Sequence, residues 1–111
     1  MGNHCFQTKG VSDGFVIALN GRIGGSEAEG LQSELDRLVE LSPKVMVLDM
    51  AGVTMLSSAA LSALVRTGKR TGDAGAKFRL ASVPEPTMKL MQSVRLDNLV
   101  PIFTDVSAAL R

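Results

Sequence analysis

A strand followed within a few residues by a helix, over residues 45–68, is the feature that most constrains the fold of this chain. Val45-Met46-Val47-Leu48 is an unbroken apolar run with two β-branched residues, short enough for a strand buried on both faces. From Leu61 to Gly68, apolar residues recur with helical spacing. Ser57 and Ser58 stand where that helix would start. A serine there can cap the helix, or it can carry a phosphate, because free N–H groups and the helix dipole favour negative charge.

Two strands that precede this unit are predicted to form a hairpin. Residues 3–10 could form a short edge strand, and residues 15–19 are an apolar run typical of a second strand. Between them, Ser12-Asp13-Gly14 favours a turn. Asn20-Gly21 and Gly24-Gly25 then break the strand pattern, so we expect the second strand to end before them.

The rest of the chain alternates helices and strands, and each is predicted from its boundary residues. A helix that Ser26 can cap ends at Ser42-Pro43, because the residue before a proline is pushed out of the α region. Lys77–Ala81 alternates polar and apolar residues and is predicted to be a strand. After it we expect a helix that starts near Pro84, a short extended segment, and a last helix that Thr104 can cap.

This order of elements predicts an α/β fold, with a mixed β-sheet of four to five strands and about four helices packed on it. The chain has 111 residues, which suffice for one packed core and are too few for two. We therefore expect residues 1–111 to form a single domain.

The charge balance and the composition argue against several classes of function. Twelve basic and eleven acidic residues leave the chain near neutrality, and its four aromatic residues are scattered phenylalanines. This pattern argues against a nucleic-acid-binding face. The single cysteine suits a reducing compartment, no apolar run approaches the ~20 residues of a membrane span, and no secretion signal is visible. We expect a cytoplasmic protein without direct membrane insertion.

The residues that usually perform catalysis or bind metals are scarce. His4 and Cys5 are the only residues of their types, and their adjacency near the terminus is a poor chelating geometry. The chain has no Gly-x-Ser-x-Gly turn, and a Ser–His–Asp arrangement would have to recruit His4. We therefore predict no catalytic residue, no metal site and no cofactor, and we expect that the protein is not an enzyme.

Residues 48–61 resemble the STAS family, the bacterial anti-sigma-factor antagonists and their relatives. In that family a strand ending in Leu-Asp-Leu-Ser-Gly-Val is followed by a few apolar residues and then by Asp-Ser-Ser-Gly-Leu at a helix start. Residues 20–23 (Asn-Gly-Arg-Ile) are similar to the Gly-Arg-Leu before the first helix. Residues 78–81 are similar to the next strand, and residues 94–99 to a Gly-Leu-Asp-x-Leu segment. The order and spacing of these motifs cover nearly the whole chain.

The resemblance implies partner switching. Such proteins bind an anti-sigma factor that is also a serine kinase, and so release the sigma factor. The kinase then phosphorylates the serine at the start of the second helix, which abolishes binding until a serine phosphatase restores it. By position, the phosphoacceptor here would be Ser58, with Ser57 as the alternative. The implied partner-binding residues lie in the loops before the two helices and on the exposed face of the second helix: Gly21, Arg22, Gly24, Gly25, Thr54, Ser57, Ser58, Ala59, Leu61 and Ser62.

Three departures from the family pattern keep a second interpretation open. Ser57 and Gly24 stand where the family usually has Asp, and Ala60 replaces a usual Gly. Ser57 and Ser58 could therefore serve only as helix caps. The alternative function is a fixed structural STAS subunit, in a signalling scaffold or bound to a lipid-transport ATPase, that is not phosphorylated. Asp49, Thr54 and Arg66 could shape the switch region, although a salt bridge or a surface role explains each equally well.

Overall fold

Residues 5–111, which the computed structural model describes, form five strands and four α-helices in the order expected from the sequence. The α/β fold class and the mixed sheet are thereby confirmed. The elements are β1 (Phe6–Val11), β2 (Gly14–Ile23), α1 (Gly25–Val39), β3 (Val45–Leu56), α2 (Ser58–Asp73), β4 (Lys77–Ala81), α3 (Glu85–Ser93), a short 3-10 helix (Leu96–Asn98), β5 (Ile102–Phe103) and α4 (Val106–Ala109).

The strands lie in the sheet in the same order as in the sequence. β1 pairs with β2 as the expected antiparallel hairpin, and the pairs from β2 to β5 are parallel. Ile17, Leu48 and Leu80 lie opposite one another on the three central strands. Because β2 and β3 run in the same direction, the helices that follow them both begin at the carboxyl edge of the sheet.

The two faces of the sheet carry cores of very different size. One face packs against α1, α2 and α3, and its fully buried members include Leu35, Leu48, Leu64 and Met91. Burying a side chain of this kind stabilises a fold by about 1.5–3 kcal/mol. The other face carries a small cluster around Val47 with α4 beside it. The larger core therefore fixes α1 and α2 on the sheet and sets where their first residues lie.

The second and third strands are longer than the sequence indicated, which is the main correction to the predicted fold. Asn20-Gly21 was predicted to break the pattern, yet β2 continues to Ile23, and β3 runs to Leu56 through the stretch predicted as a loop. The pairing of these strands is irregular on both sides of Gly21, whose φ of +75° is a conformation that favours glycine. The irregular pairing accommodates the conformation of Gly21, and β2 and β3 pair again beyond it, as far as Ile23 and Leu56.

Two of the predicted helix caps are also wrong by one or two residues. α1 is capped at Gly24 rather than Ser26, and α4 is capped by Asp105 rather than Thr104. The Asp105 carboxylate accepts a hydrogen bond from the backbone N–H of Ala108 at 2.8 Å, and Asp is as good a cap as Ser or Thr. α1 ends at Val39, three residues before Ser42. The extended segment predicted over residues 99–103 is a strand only at Ile102–Phe103. The part of the first predicted strand before Cys5 lies outside the described residues.

Candidate functional site

The first residues of α1 and α2 lie side by side at the carboxyl edge of the sheet. Only one residue joins each strand to its helix, Gly24 between β2 and α1 and Ser57 between β3 and α2. The backbone N–H of Ser57 donates a hydrogen bond to the carbonyl of Ile23 at 3.0 Å, which ties the two connections together. The extended strands thus hold both helix starts in a fixed relation.

The two serines at the start of α2 have different surroundings. Ser57 is half-buried and is the N-cap, with its hydroxyl oxygen accepting a hydrogen bond from the backbone N–H of Ala60 at 3.1 Å. Ser58 is the first residue of the helix and is exposed. Within residues 5–111, the Ser58 hydroxyl has no hydrogen bond. The capping role expected for either serine therefore falls to Ser57 alone.

The start of α1 carries an acidic residue, Glu27, whose contact with the cap residue was not predicted from the sequence. The backbone N–H of Gly24 donates a hydrogen bond to the side-chain oxygen Oε1 of Glu27 at 3.0 Å. The three-residue spacing of a cap residue and a Glu is the sequence signal that could have revealed this contact. Gly24 stands where the family usually has Asp, and a carboxylate from the first turn of α1 occupies its neighbourhood instead.

The predicted partner-binding residues all retain accessible surface at this edge of the molecule. Gly21 and Arg22 lie at the end of β2, where their partners across the sheet are Val53 and Met55, the neighbours of Thr54. Gly21, Arg22 and Thr54 therefore lie close together, at the ends of the neighbouring strands β2 and β3. Six of the ten predicted residues are exposed and the other four are half-buried. The exposed ones are Arg22, Gly25, Thr54, Ser58, Ala59 and Ser62, and the half-buried ones are Gly21, Gly24, Ser57 and Leu61.

A groove of about 520 Å³ separates the first turns of α1 from those of α2. Small residues from both helices line it, among them Gly25, Ala59 and Ser62. Gln32 also lines this groove, and its side-chain carbonyl oxygen is buried without a hydrogen-bond partner within residues 5–111. Small side chains allow the backbone of another molecule to approach closely, so this α1–α2 groove is suited to a protein contact.

Of the residues considered for shaping the switch region, Arg66 and Asp49 lie in different places. Arg66 is exposed on α2 and lines the α1–α2 groove. Asp49 lies on the other face of the sheet, near α4, and its carboxylate accepts a hydrogen bond from the backbone N–H of Ala51 at 3.1 Å. Asp49 therefore does not contribute a side chain to the helix starts.

Groups suited to metal or covalent chemistry are few at this site. Among residues 5–111, no cluster of three or more His, Cys, Asp or Glu side chains could hold a metal ion, and His4 lies outside the described residues. Burial raises the pKa of the Cys5 thiol and the Glu27 carboxylate raises it further, which disfavours the reactive thiolate. None of the helices described is long and apolar enough to cross a membrane.

Residues 6–109 match the family model of the STAS domain. This match confirms the resemblance expected from the motifs. A comparison with curated proteins gives no match.

Solved structures with the same fold include anti-sigma factor antagonists and a transporter-family protein. An anti-sigma factor antagonist from Mycobacterium paratuberculosis superposes with a TM-score of 0.86 at 23% identity, over 95% of this chain and 89% of the other. The antagonist SpoIIAA in its unphosphorylated form gives 0.81 at 14% identity, over 93% and 91%. A sulfate transporter family protein from Wolinella succinogenes gives 0.75 at 21% identity, over 86% and 80%. At these identities the likeness shows the shared fold.

Proposed function

This chain belongs to the STAS domain family, and from that premise we propose that it is an anti-sigma-factor antagonist controlled by phosphorylation of Ser58. In this proposal the unmodified protein binds an anti-sigma factor that is also a serine kinase, and the bound sigma factor is released. A serine phosphatase reverses the modification. The likeness to solved antagonists, one of which is described in its unphosphorylated form, supports this class of function.

The observation that carries the proposal is the difference between the two serines of α2. A kinase must reach a hydroxyl that is free to attack the phosphate, and the Ser58 hydroxyl is exposed and has no hydrogen bond within residues 5–111. The Ser57 hydroxyl is half-buried and holds the first turn of α2 through Ala60. Modification of Ser57 would remove that cap. The geometry therefore favours Ser58 over the alternative acceptor.

A phosphate at Ser58 would have two opposite effects. It adds about −1.5 to −2 charges, which the positive N-terminal end of α2 stabilises within the free protein. The same charge lies in the middle of the proposed contact surface, where a bound partner would have to desolvate it. A hundredfold loss of affinity requires about 2.7 kcal/mol, and a close interface can supply this through repulsion and desolvation. The modification thus weakens the complex without unfolding the antagonist.

The proposal assigns the chain a binding role and no catalytic one. The kinase supplies the ATP and the catalytic groups, and this chain supplies the acceptor and the docking surface. The family's Asp before the acceptor is Ser57 here, and the acidic residue in the first turn of α1 is Glu27. The proposed reactions take place in the cytoplasm, where the sigma factor acts.

The test is intact mass after incubation with ATP and the anti-sigma kinases of the same cell. Wild-type protein is compared with Ser58→Ala, Ser57→Ala and a matched control, Ser107→Ala, which removes an exposed hydroxyl on α4, on the other face of the sheet. We expect one phosphate on the wild type and on the Ser57 and Ser107 variants, and none on Ser58→Ala. Native mass spectrometry of the same samples should show that the phosphorylated form has lost its complex with the kinase.

Two results would contradict the assignment in different ways. Loss of the phosphate only in Ser57→Ala would move the acceptor by one residue. Absence of phosphate with every kinase, in correctly folded protein, would favour the second candidate, a constitutive STAS subunit of a scaffold or transport complex. Two observations favour this candidate. Positions 24 and 57 lack the family's Asp, and the chain shares its fold with a transporter-family protein. Stable co-purification with a large complex would support it.

A further inference from the structure

A second groove, on the side of α2 away from α1, joins the proposed phosphoacceptor to residues outside the predicted contact surface. It has a volume of about 520 Å³ and lies between α2 and Val94, the residue that follows α3. Its apolar lining comes from Leu61, Val65 and Val94, and Val94 is 52% exposed. An exposed apolar surface beside a functional site is typical of a protein contact. We call this surface the α2–α3 groove.

The charges of the α2–α3 groove are all of one sign. Arg66 and Lys69 line it, Ser58 lies at one end, and its lining contains no acidic residue. Neither Arg66 nor Lys69 forms an ion pair with any other residue between Cys5 and Arg111. Arg70, by contrast, pairs with Asp36 and Glu40 of the neighbouring segment. The positive end of the α2 dipole at Ser58 adds to the same potential.

We propose that the α2–α3 groove docks an acidic amphipathic segment of the partner protein. Apolar side chains of that segment would lie on Leu61, Val65 and Val94, and its carboxylates would face Arg66 and Lys69. The inference rests on the proposed function insofar as the partner is the anti-sigma factor. It adds the chemistry of the bound segment and brings the end of α3 into the interface.

This arrangement gives the phosphate a specific way to act. Ser58 lies at the end of the groove, so a phosphate there would offset the positive charges that attract the acidic segment. Opposite charges speed association and fix the register of a complex, and like charges suppress it. A phosphorylated antagonist would therefore lose both the attraction and part of the docking surface.

The test uses two synthetic probes and the full chain. One probe is an amphipathic helix of about 18 residues with Leu on one face and Glu on the other, and its match has Lys in place of every Glu. Each is titrated into isotope-labelled protein by NMR. The variants are Lys69→Glu and Val94→Asp, and Lys9→Glu is the control because Lys9 is an exposed lysine on the far face of the sheet.

We expect the acidic probe to saturate, with shifts at Leu61, Val65 and Val94, and the basic probe to leave them unchanged. Lys69→Glu should weaken binding about fivefold and Val94→Asp about tenfold, with little change for Lys9→Glu. The acidic probe should lose affinity at high salt. Equal binding of both probes, saturation at another surface, or no saturation would overturn the proposal. So would concentration-dependent dimerisation that Lys69→Glu abolishes, since the occupant would then be a second copy of this chain.

The two proposals fail separately in this design. If a kinase phosphorylates Ser58 but the acidic probe does not bind the groove, the docking inference is wrong and partner switching stands. If the probe binds the groove and no kinase modifies Ser58, the docking surface stands and the proposed function is wrong. Where both hold, Ser58→Asp should reduce the affinity for the acidic probe.

Discussion

The starts of α1 and α2 are built on the same plan but differ in charge. Each follows a parallel strand after a single connecting residue, and the hydrogen bond from Ser57 to Ile23 holds them together. α1 has no capping side chain at Gly24, and the carboxylate of Glu27 takes the free N–H. α2 has a neutral cap, Ser57, and no acidic residue in its first turn. The first turn of α1 thus carries a negative charge, and the first turn of α2 does not.

The difference determines at which helix start an added negative charge is stabilised. The dipole of α1 is already opposed by Glu27, so a further anion there meets a like charge. At α2 the dipole is unopposed and the hydroxyl of Ser58 is exposed. We therefore expect a phosphate to be better accommodated at the start of α2 than at the start of α1, which serves as its internal control.

The largest effect is expected on partner binding. Ser58→Asp places a charge on the proposed contact surface and should weaken the complex with the anti-sigma factor about a hundredfold, or 2.7 kcal/mol. Ser26→Asp adds the same charge at the start of α1 and should weaken it less than about fivefold. Isothermal titration calorimetry with both variants measures the difference. Equal losses of affinity in the two variants would mean that a charge at the start of α1 disturbs the contact as much as a charge at Ser58.

The next effect concerns the stability that each cap provides. Ser57→Ala leaves the N–H of Ala60 without its partner and should lower the free energy of unfolding by about 1 kcal/mol. Glu27→Gln retains a hydrogen-bond acceptor for Gly24 and removes only the charge, so it should cost about 0.5 kcal/mol or less. Urea denaturation of the two variants gives both values. If Glu27→Gln lowered the free energy of unfolding more than Ser57→Ala does, the Glu27 charge would contribute more stability than the Ser57 cap.

How far the sequence predicts this site depends on how local each contact is. Ser57 and Ser58 could be placed at a helix start because capping chemistry involves residues three apart. The extension of β2 through Gly21 could not, since it depends on pairing with β3, some thirty residues away, and local rules treat Asn20-Gly21 as a turn. The sequence did not predict that Val94 lines the α2–α3 groove, for the same reason. It reaches the α2–α3 groove only through the packing of α3 on the sheet.

A double substitution tests whether Glu27 stands in for the family's Asp at position 24. A Cβ at Gly24 would lie 2.9 Å from the Glu27 carboxylate oxygen, so Gly24→Asp displaces that side chain. The stability gained from the new Asp cap and the stability lost with the Glu27 contact should nearly cancel. The free energy of unfolding should therefore stay within about 0.5 kcal/mol of wild type. In the Glu27→Gln background, Gly24→Asp should stabilise by about 0.5 kcal/mol, because no carboxylate opposes it. Additive effects in the thermodynamic cycle would show that the two positions act independently.

The smallest effect isolates the helix dipole from any partner. Ser58→Asp should raise the free energy of unfolding by about 0.5 kcal/mol, because α2 has no other acidic residue in its first turn. Ser26→Asp adds the same charge beside Glu27 and should change stability little, because repulsion offsets the gain from the dipole.

Urea denaturation at low and high salt measures both variants, and the gain from Ser58→Asp should fade as the screening length falls to about 3 Å near 1 M salt. A gain that persists at high salt would assign the effect to hydrogen bonding by the new carboxylate. Equal gains at both helices would mean that Glu27 does not neutralise the start of α1. A gain at α2 alone, lost with salt, would mean that the free protein favours the modified state of Ser58. The proposed loss of partner binding on phosphorylation would then have to arise at the interface, since the fold of this chain would be more stable in the modified form.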